Sequence, residues 1–398
     1  MHHRYIFIFM AAITAGLAQE RVLTYPELEV RILQQNNTLK ALEKQVAAAE
    51  SMVLQSRLRL NPELDLLSGE GGEPETVAEL SQTLELRGKR PKRTRVAELE
   101  LEKTRLDFTI RKLAILQEAR SAYIDILQAQ RVVVLKEETV AIAEQFLALV
   151  EERVKAGRLS PVEVARAKIE LANHNVALNR ARRELNNRWR QLAAFWGTTV
   201  AEYSRAEGNL DSVIVLPPEE TLVLQITTSP RYKIKDIDKE IQRATLDLAE
   251  ANRIPDIALN AGFSKTPDTG QTIYGGISVP LPLFNRNQGA IQSALFSLEQ
   301  VEAESQALKI ELQTELTALY SKALIVLDEI IALRNTILPE AQKVYQIIND
   351  GYLQGKYGFL DVVDARRTLY QAQENYLSVL ADFQKAVARM EFLLGHSF

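Results

Sequence analysis

The feature that most restricts the fold of this chain is an internal duplication. Residues 81–102 (SQTLELRGKRPKRTRVAELELE) align without a gap with residues 278–299 (SVPLPLFNRNQGAIQSALFSLE), at a shift of 197 positions. Farther along, Gly157 and Ala167 match Gly355 and Ala365 at a shift of 198. A unit of about half the chain predicts one body built from two similar halves.

Each half contains two strand-like segments, a polar turn and a very long helix. Apolar residues alternate up to Leu283 and recur at helical spacing after Gly289. Pro280 and Pro282 cannot donate ladder hydrogen bonds, so the strand must give way to the helix here. We expect strand hairpins at 62–86 and 255–283. The predicted strand-to-helix turns contain Gly88, Pro91, Asn285, Asn287 and Gly289.

The segments after the hairpins are longer than a globular core requires. Residues 92–155 and 290–338 contain neither proline nor glycine, and the apolar stripe from Leu312 to Ile337 keeps the 4,3 spacing of a coiled coil. We expect long antiparallel helices at 91–155 and 290–350, with return helices at 161–196 and 358–394. Pro339 is expected to bend the second long helix.

The predicted division is a signal peptide at 1–18, a first repeat at 19–197, an equatorial linker at 198–222 and a second repeat at 223–398. The signal peptide follows from a basic start at Arg4, a short apolar core and small residues up to Ala18. A buried N-terminal helix is the alternative. Each repeat opens with a helix, the first of them at 24–60 with Thr24 as its cap.

Composition and motifs exclude several classes of protein. The net charge is −4, which gives no basic field for nucleic acid. The chain has no cysteine, so it has neither disulfides nor thiolate metal sites. No nucleophile–base pair, phosphate loop or metal cluster is visible, so we expect no enzyme and no cofactor. We interpret His174, four residues after Glu170, as incidental rather than as a metal ligand.

Four strands of about ten residues match the length that crosses a bilayer at a tilt. Four strands cannot close a barrel, and an open edge is not tolerated in lipid. The strands therefore form either a soluble sheet or part of a barrel shared by several chains. In the barrel, Leu80, Leu259 and Ile277 are predicted to face lipid, and Tyr274 and Ser278 the lumen.

The layout resembles the outer membrane efflux protein family, the TolC-like outer-membrane factors, and within it the branch serving cobalt-zinc-cadmium resistance. The segments that carry the resemblance are ISVPLPLFNRNQGAI at 277–291, LELRGKRPKR at 84–93 and GKYGFLDVVDARRTLYQAQ at 355–373. It implies an α+β membrane protein, in which a trimeric β-barrel with four strands per chain continues into a periplasmic α-helical barrel.

The resemblance also implies a function, which is a passive exit duct of a tripartite efflux system in the Gram-negative outer membrane. The implied cargo is heavy-metal cations. The implied partners are two further copies of the chain, a periplasmic membrane fusion adaptor, an inner-membrane resistance-nodulation-division pump and the lipid bilayer, without nucleic acid. Drugs or secreted molecules are the alternative cargo, and a soluble periplasmic coiled-coil adaptor is the alternative function.

Two kinds of site follow. Asp361 and Asp364 resemble the segment that carries the aspartate rings of the closed tunnel end, whereas their spacing alone fits charges that stabilise a helix N-terminus. The returns between long and short helices are expected to be the tips that dock the adaptor, with solvated charge as the alternative. These tip residues are Lys155, Gly157, Arg158, Gly355 and Lys356.

Overall fold

The structure is a computed structural model of the chain, and it describes residues 21–69, 75–200, 202–266 and 270–397. The predicted signal peptide and parts of both hairpin loops lie outside these ranges. Among the described residues, no helix combines the length and the hydropathy needed to cross a membrane.

Both halves of the described chain show the same order of elements, which is helix, strand hairpin, long helix and return helix. The first half contains β1 (Val22–Leu23), α1 (Tyr25–Gln35), α2 (Asn37–Ser56), β2 (Glu63–Gly69), β3 (Glu75–Leu84), α3 (Lys89–Lys155) and α4 (Pro161–Ala194). The second contains β4 (Arg205–Ala206), α5 (Glu219–Gln225), α6 (Pro230–Ala251), β5 (Ile257–Thr266), β6 (Gly270–Ser278), α7 (Gln288–Ala332), α8 (Leu338–Leu353) and α9 (Phe359–Leu394).

The prediction of one helix over 24–60 is wrong, because the chain breaks at Asn36 and α2 ends at Ser56. Asn36 has extended backbone, and its Oδ1 accepts a hydrogen bond from the Leu39 N–H at 2.9 Å, which caps α2. An asparagine side chain that bonds the backbone in this way starts a new helix in place of continuing the old one. Thr24 caps α1 as predicted, since its Oγ1 accepts from the Glu27 N–H at 3.4 Å.

The second long helix is also interrupted. A π-helical turn, Leu333–Ile337, separates α7 from α8. Pro339 has no N–H to offer the carbonyl of residue 335, and its ring crowds that carbonyl, which accounts for a widened turn immediately before it. The expected disturbance at Pro339 therefore takes the form of a π-helical turn.

The strand predicted to continue to Leu283 ends earlier. β6 stops at Ser278, two residues before Pro280, and 279–283 are not in the ladder. The apolar alternation continues beyond the strand, but the two prolines cannot donate to a neighbouring strand. The alternating sequence pattern therefore extends beyond the strand, which ends just before the first proline.

The four hairpin strands form one antiparallel sheet in the order β2-β3-β5-β6. Leu80 pairs with Ala261, and Leu259 pairs with Ile277, so these residues lie on one face because directly paired residues share a face. Tyr274 and Ser278 lie on the opposite face. The predicted separation of the two sets is confirmed.

The described residues form two compact units. The first, which we call the helical unit, comprises the described parts of Met1–Gln34, Ala122–Ser212 and Leu338–Ala381. It contains a core of Phe146, Val150, Ala167, Tyr352, Phe359 and Val362. It also contains a parallel pair of β1 with β4, where the Tyr123 hydroxyl donates to the Leu23 carbonyl at 2.8 Å.

The second, which we call the strand unit, comprises the described parts of Gln35–Ser121, Val213–Ile337 and Asp382–Phe398. It contains the four-stranded sheet, and Leu99, Ile241 and Ala244 form a core where α3 meets α6. Since each unit takes segments from both halves of the sequence, the division into two repeats is not a division into two compact units. The repeat boundaries stay a prediction.

Candidate functional site

The two returns have the same backbone geometry, which supports the duplication at the level of structure. Gly157 and Gly355 have φ of 71° and 77°. The N–H of Arg158 bonds to the Arg153 carbonyl at 2.9 Å, and the N–H of Lys356 bonds to the Gly351 carbonyl at 2.8 Å. These are the bonds of a helix end closed by a left-handed glycine. The tight reversals expected at both positions are present.

An arginine that the sequence analysis did not single out connects the two returns. Arg153 donates to the carbonyls of Tyr352 at 2.9 Å and Leu353 at 2.7 Å, and its guanidinium lies 5.1 Å from the centre of the Tyr352 ring. It thereby satisfies two carbonyls at the end of α8. Its position in the last turn of α3 was the available signal.

The predicted docking cations are exposed. Lys155, Arg158 and Lys356 are accessible, and within the described part of the chain none of their side chains forms an ion pair. An added Cβ at Gly157 or Gly355 would meet no atom within 4 Å. The returns thus present free positive charge and open space, and their role in docking stays a prediction.

The two aspartates at the start of α9 are exposed, and each already has a partner. Asp361 Oδ2 accepts from the Gly358 N–H at 2.8 Å, so it caps the helix. Asp364 Oδ1 pairs with Arg367 Nη2, three residues later. These contacts fit the interpretation as helix-start charges, and they leave both carboxylates accessible for a role in a pore.

The strand-to-helix turns use left-handed residues. Arg87, Gly88 and Asn287 have φ of 56°, 66° and 58°. Asn287 donates from Nδ2 to the Ala249 carbonyl at 2.7 Å, and its N–H donates to Asn285 Oδ1 at 3.0 Å. Asparagine tolerates this conformation because its side chain bonds locally. Gly88 lies in the first of these turns, whereas Pro91 and Gly289 lie within the first turns of α3 and α7.

A buried ion pair joins the first strand-to-helix turn to β5. Lys89 is only 7% exposed, and its Nζ lies 2.7 Å from Asp256 Oδ1. The same Asp256 oxygen accepts from the Leu86 N–H at 3.0 Å. A buried charge needs such a partner, so this pair fixes the exit from β3 relative to the entry into β5.

The two faces of the sheet differ in chemistry. One face, which we call the apolar face, is mainly apolar and carries Leu64, Leu66, Ala78, Leu80, Leu259, Phe263, Ile273 and Ile277. Its polar residues are Gln82 and, towards the loops, Ser68, Thr76, Lys265 and Gln271. The other, which we call the polar face, carries Glu63, Asp65, Glu79, Ser81, Thr83, Asn260, Ser264, Thr272, Tyr274 and Ser278, with Leu67 and Val77 towards the first loop. Among the described strand residues, no lysine or arginine lies on the polar face.

One row of the polar face is held across three strands. Tyr274 donates from its hydroxyl to Glu79 Oε2 at 2.9 Å. Between them is Gly262, where an added Cβ would lie 2.8 Å from the Tyr274 ring. The glycine therefore leaves room for the tyrosine to cross β5. The alternation with leucines already placed Glu79 on the face opposite them, but the sequence analysis did not single out Glu63, Asp65 and Glu79 as a site.

His174 lines a cavity of about 450 Å³ in the helical unit, together with Lys136, Phe146, Glu170 and Arg366. Its Nε2 is 3.8 Å from Glu170 Oε2. Burial lowers the pKa of His174, Glu170 opposes this shift, and the positive charges of Arg366 and Lys136 add to it. Within the described ranges, no group of three or more histidine, cysteine, aspartate or glutamate residues is arranged to hold a metal ion.

The lowered pKa of His174 predicts the sign of a pH effect on stability. Because the unfolded chain binds this proton near pH 6.5 and the folded chain binds it only at lower pH, the free energy of unfolding should decrease as pH falls through that value. When thermal unfolding is measured at pH 7.5 and at pH 5, the His174→Gln variant should lose less stability between the two than the parent chain does. His396→Gln, at an exposed histidine, is the control. Equal losses in His174→Gln and the parent chain would contradict the assignment.

Both halves of the chain match the model of a known protein family. The family model described as "Outer membrane efflux protein" matches residues 28–198 and 237–396, which cover both repeats and most of the chain. The chain belongs to the outer membrane efflux protein family. The predicted family, the efflux function and the location in the outer membrane are thereby confirmed.

Curated relatives of this outer membrane efflux protein include two metal resistance proteins. The cobalt-zinc-cadmium resistance protein CzcC of Cupriavidus metallidurans is 28% identical over 363 residues, 90% of this chain and 87% of CzcC. The nickel-cobalt-cadmium resistance protein NccC of Alcaligenes xylosoxydans xylosoxydans is 22% identical over 69% of this chain and 64% of NccC.

Solved structures show the same fold. CusC has a TM-score of 0.79 at 17% identity, covering 94% of this chain and 92% of the other. The outer membrane protein VceC from Vibrio cholerae has a TM-score of 0.77 at 17% identity, covering 94% and 96%. The α+β fold class predicted for this efflux protein is confirmed.

Proposed function

We propose that this protein is the exit duct of a tripartite efflux system for divalent heavy-metal cations. The observation that carries the cargo assignment is the polar face of the sheet. Among the described side chains, three carboxylates share that face, those of Glu63, Asp65 and Glu79, and no basic residue lies beside them there. A surface of one sign inside a narrow passage concentrates ions of the opposite sign.

The proposed duct is a homotrimer. β2 and β6 are the edges of the four-stranded sheet, and they run antiparallel to each other because three antiparallel pairings separate them. Pairing β2 of one copy with β6 of the next is therefore also antiparallel, and it continues the alternation of strand directions from one chain to the next. Three copies would give twelve antiparallel strands, and closure removes the edges that lipid does not tolerate.

The partners proposed for the trimer are a periplasmic adaptor and an inner-membrane pump. The exposed cations at the two returns, Lys155, Arg158 and Lys356, support an acidic or polar docking surface on the adaptor. CzcC and NccC are named as metal resistance proteins, which supports the same cargo here. Asp361 and Asp364 are proposed to line the constriction at the periplasmic end.

The cargo proposal predicts the effect of deleting the gene. Cells without the protein should tolerate less Co²⁺, Zn²⁺ or Cd²⁺, and the parent chain should restore growth. The triple variant Glu63→Gln, Asp65→Asn, Glu79→Gln should restore tolerance only in part. The highest metal concentration that permits growth should be roughly tenfold lower than with the parent chain, because the lumen no longer concentrates cations.

A matched control replaces polar residues on the same face without removing charge, as in Ser81→Asn with Thr83→Asn. Both variants should reach the outer membrane at the level of the parent trimer. Unchanged metal tolerance after deletion of the gene would contradict the cargo proposal. Full tolerance with the triple variant would remove the polar face as its basis.

A further inference from the structure

The first turns of α9 contain an exposed cation, Arg367, as well as the two aspartates. Asp364 Oδ1 contacts Arg367 Nη2, and the two side chains are 65% and 74% exposed. Asp361 has a backbone partner instead, since its Oδ2 accepts a hydrogen bond from the Gly358 N–H. Arg367 is therefore the side chain that faces the exposed carboxylate of Asp364 within the described chain.

The charge of this segment sums to zero. Between Gly358 and Tyr370 the charged residues are Asp361, Asp364, Arg366 and Arg367, two negative and two positive. Arg366 is only 5% exposed and lies 4.7 Å over the Phe146 ring, so it faces the interior of the helical unit. Arg367 is then the cation that shares the surface with the two aspartates.

We propose that Arg367 is a selectivity-determining residue of the channel, which reduces the preference for cations by holding a positive charge against each Asp364. The inference rests on the proposed position of Asp361 and Asp364 at the constriction. Threefold symmetry would place three Arg367 among six carboxylates. The net negative charge that acts on a passing ion would then be about half that of the six carboxylates alone.

Two physical arguments support a role in selectivity over a role in stability. An exposed pair at i and i+3 contributes little to folding because both side chains are solvated and mobile. By contrast, the distances across a constriction are comparable with the Debye length of about 8 Å at physiological salt, so fixed charges there act on ions in transit. Removal of Arg367 should therefore leave the trimer intact and change the current that it carries.

The experiment measures the reversal potential of purified trimers in planar bilayers under a KCl gradient. Arg367→Gln should raise the ratio of K⁺ to Cl⁻ permeability roughly threefold, as expected for removing one screened unit charge per chain near the ion path. Arg367→Lys keeps the charge and should match the parent. Lys343→Gln removes a cation from a similar exposed i and i+3 pair, with Glu340 on α8, and should also match it.

A double variant separates this inference from the proposed pore. Asp361→Ala with Asp364→Ala should lower the preference for cations and the block by divalent cations. If it does so while Arg367→Gln has no effect, the role of Arg367 is overturned and the pore assignment stands. If none of the variants changes selectivity, the pore assignment is wrong and the inference falls with it. An equal change in Arg367→Lys and Arg367→Gln would also overturn the inference, because charge would not be the cause.

Discussion

Arginine at Ile277 or Leu259 is expected to prevent formation of the folded trimer in the outer membrane. Both residues lie on the apolar face of the sheet and are exposed in the single chain, by 70% and 42%. In a closed barrel that face meets lipid, where arginine costs about 2 to 4 kcal/mol per chain near the bilayer midplane and less towards the ends of the strands. Three copies multiply this cost within one assembly. Leu80→Arg should behave in the same way.

The adjacent residue provides the control. Ser278 follows Ile277 on β6 and lies on the polar face, so Ser278→Arg places the same side chain in the lumen. Trimer yield is measured on gels of unheated outer membrane fractions. Normal yield for Ser278→Arg with strongly reduced yield for Ile277→Arg confirms the assignment of faces. Equal yields for the two variants would show that the apolar face does not meet lipid.

Much of the fold follows from local patterns in the sequence. The alternation in β3, β5 and β6 predicted both the hairpins and the two faces, because side chains in a strand point to opposite sides in turn. The duplicated glycines at 157 and 355 predicted the returns, since a left-handed helix end favours glycine. Long stretches without proline or glycine predicted α3 and α7.

The features that were missed depend on single side chains or on distant contacts. Asn36 interrupts a continuous helical pattern through one local effect, which the surrounding periodicity conceals. The disturbance at Pro339 was expected, but its π-helical form was not. The short pair of β1 with β4 joins residues 22–23 to 205–206, a separation that no local pattern reports. The spacing of Asp361 and Asp364 was readable, but the contact of Asp364 with Arg367 requires the side-chain positions.

Tryptophan at Gly157 or Gly355 is expected to abolish efflux while the trimer still forms. At either glycine an added Cβ would meet nothing within 4 Å, so the return has open space into which an indole can project outwards. A bulky group there obstructs a partner that docks on the tip. The left-handed backbone adds a strain of about 1 to 2 kcal/mol, which a local turn can absorb.

The control for this prediction is asparagine at the same positions. Asparagine adopts the left-handed conformation with little strain and adds a small side chain, so Gly157→Asn and Gly355→Asn should retain efflux. Metal tolerance of growing cells and trimer yield are measured together. Full tolerance with tryptophan would move the docking surface away from the returns, whereas lost tolerance with asparagine would point to strain as the cause.

The central claim is that β2 of one copy pairs with β6 of the next and that three copies close the barrel. The chain has no cysteine, so pairs of cysteines can be placed without background. β2 and β6 are three strand spacings apart in one chain, about 14 Å, which is beyond the reach of a disulfide. Any bond between these strands must therefore join different chains.

The most direct measurement is oxidative cross-linking in the outer membrane of Leu66→Cys on β2, combined in turn with Ile273→Cys, Gly275→Cys or Ile277→Cys on β6. One combination that matches the register should convert the chain into a covalent trimer on a denaturing gel, with no larger species, because a closed ring of three has no free edge. Each single-cysteine variant should remain monomeric on the same gel. A ladder of higher multimers, or monomers with every pair despite complete oxidation, would contradict the closed trimer.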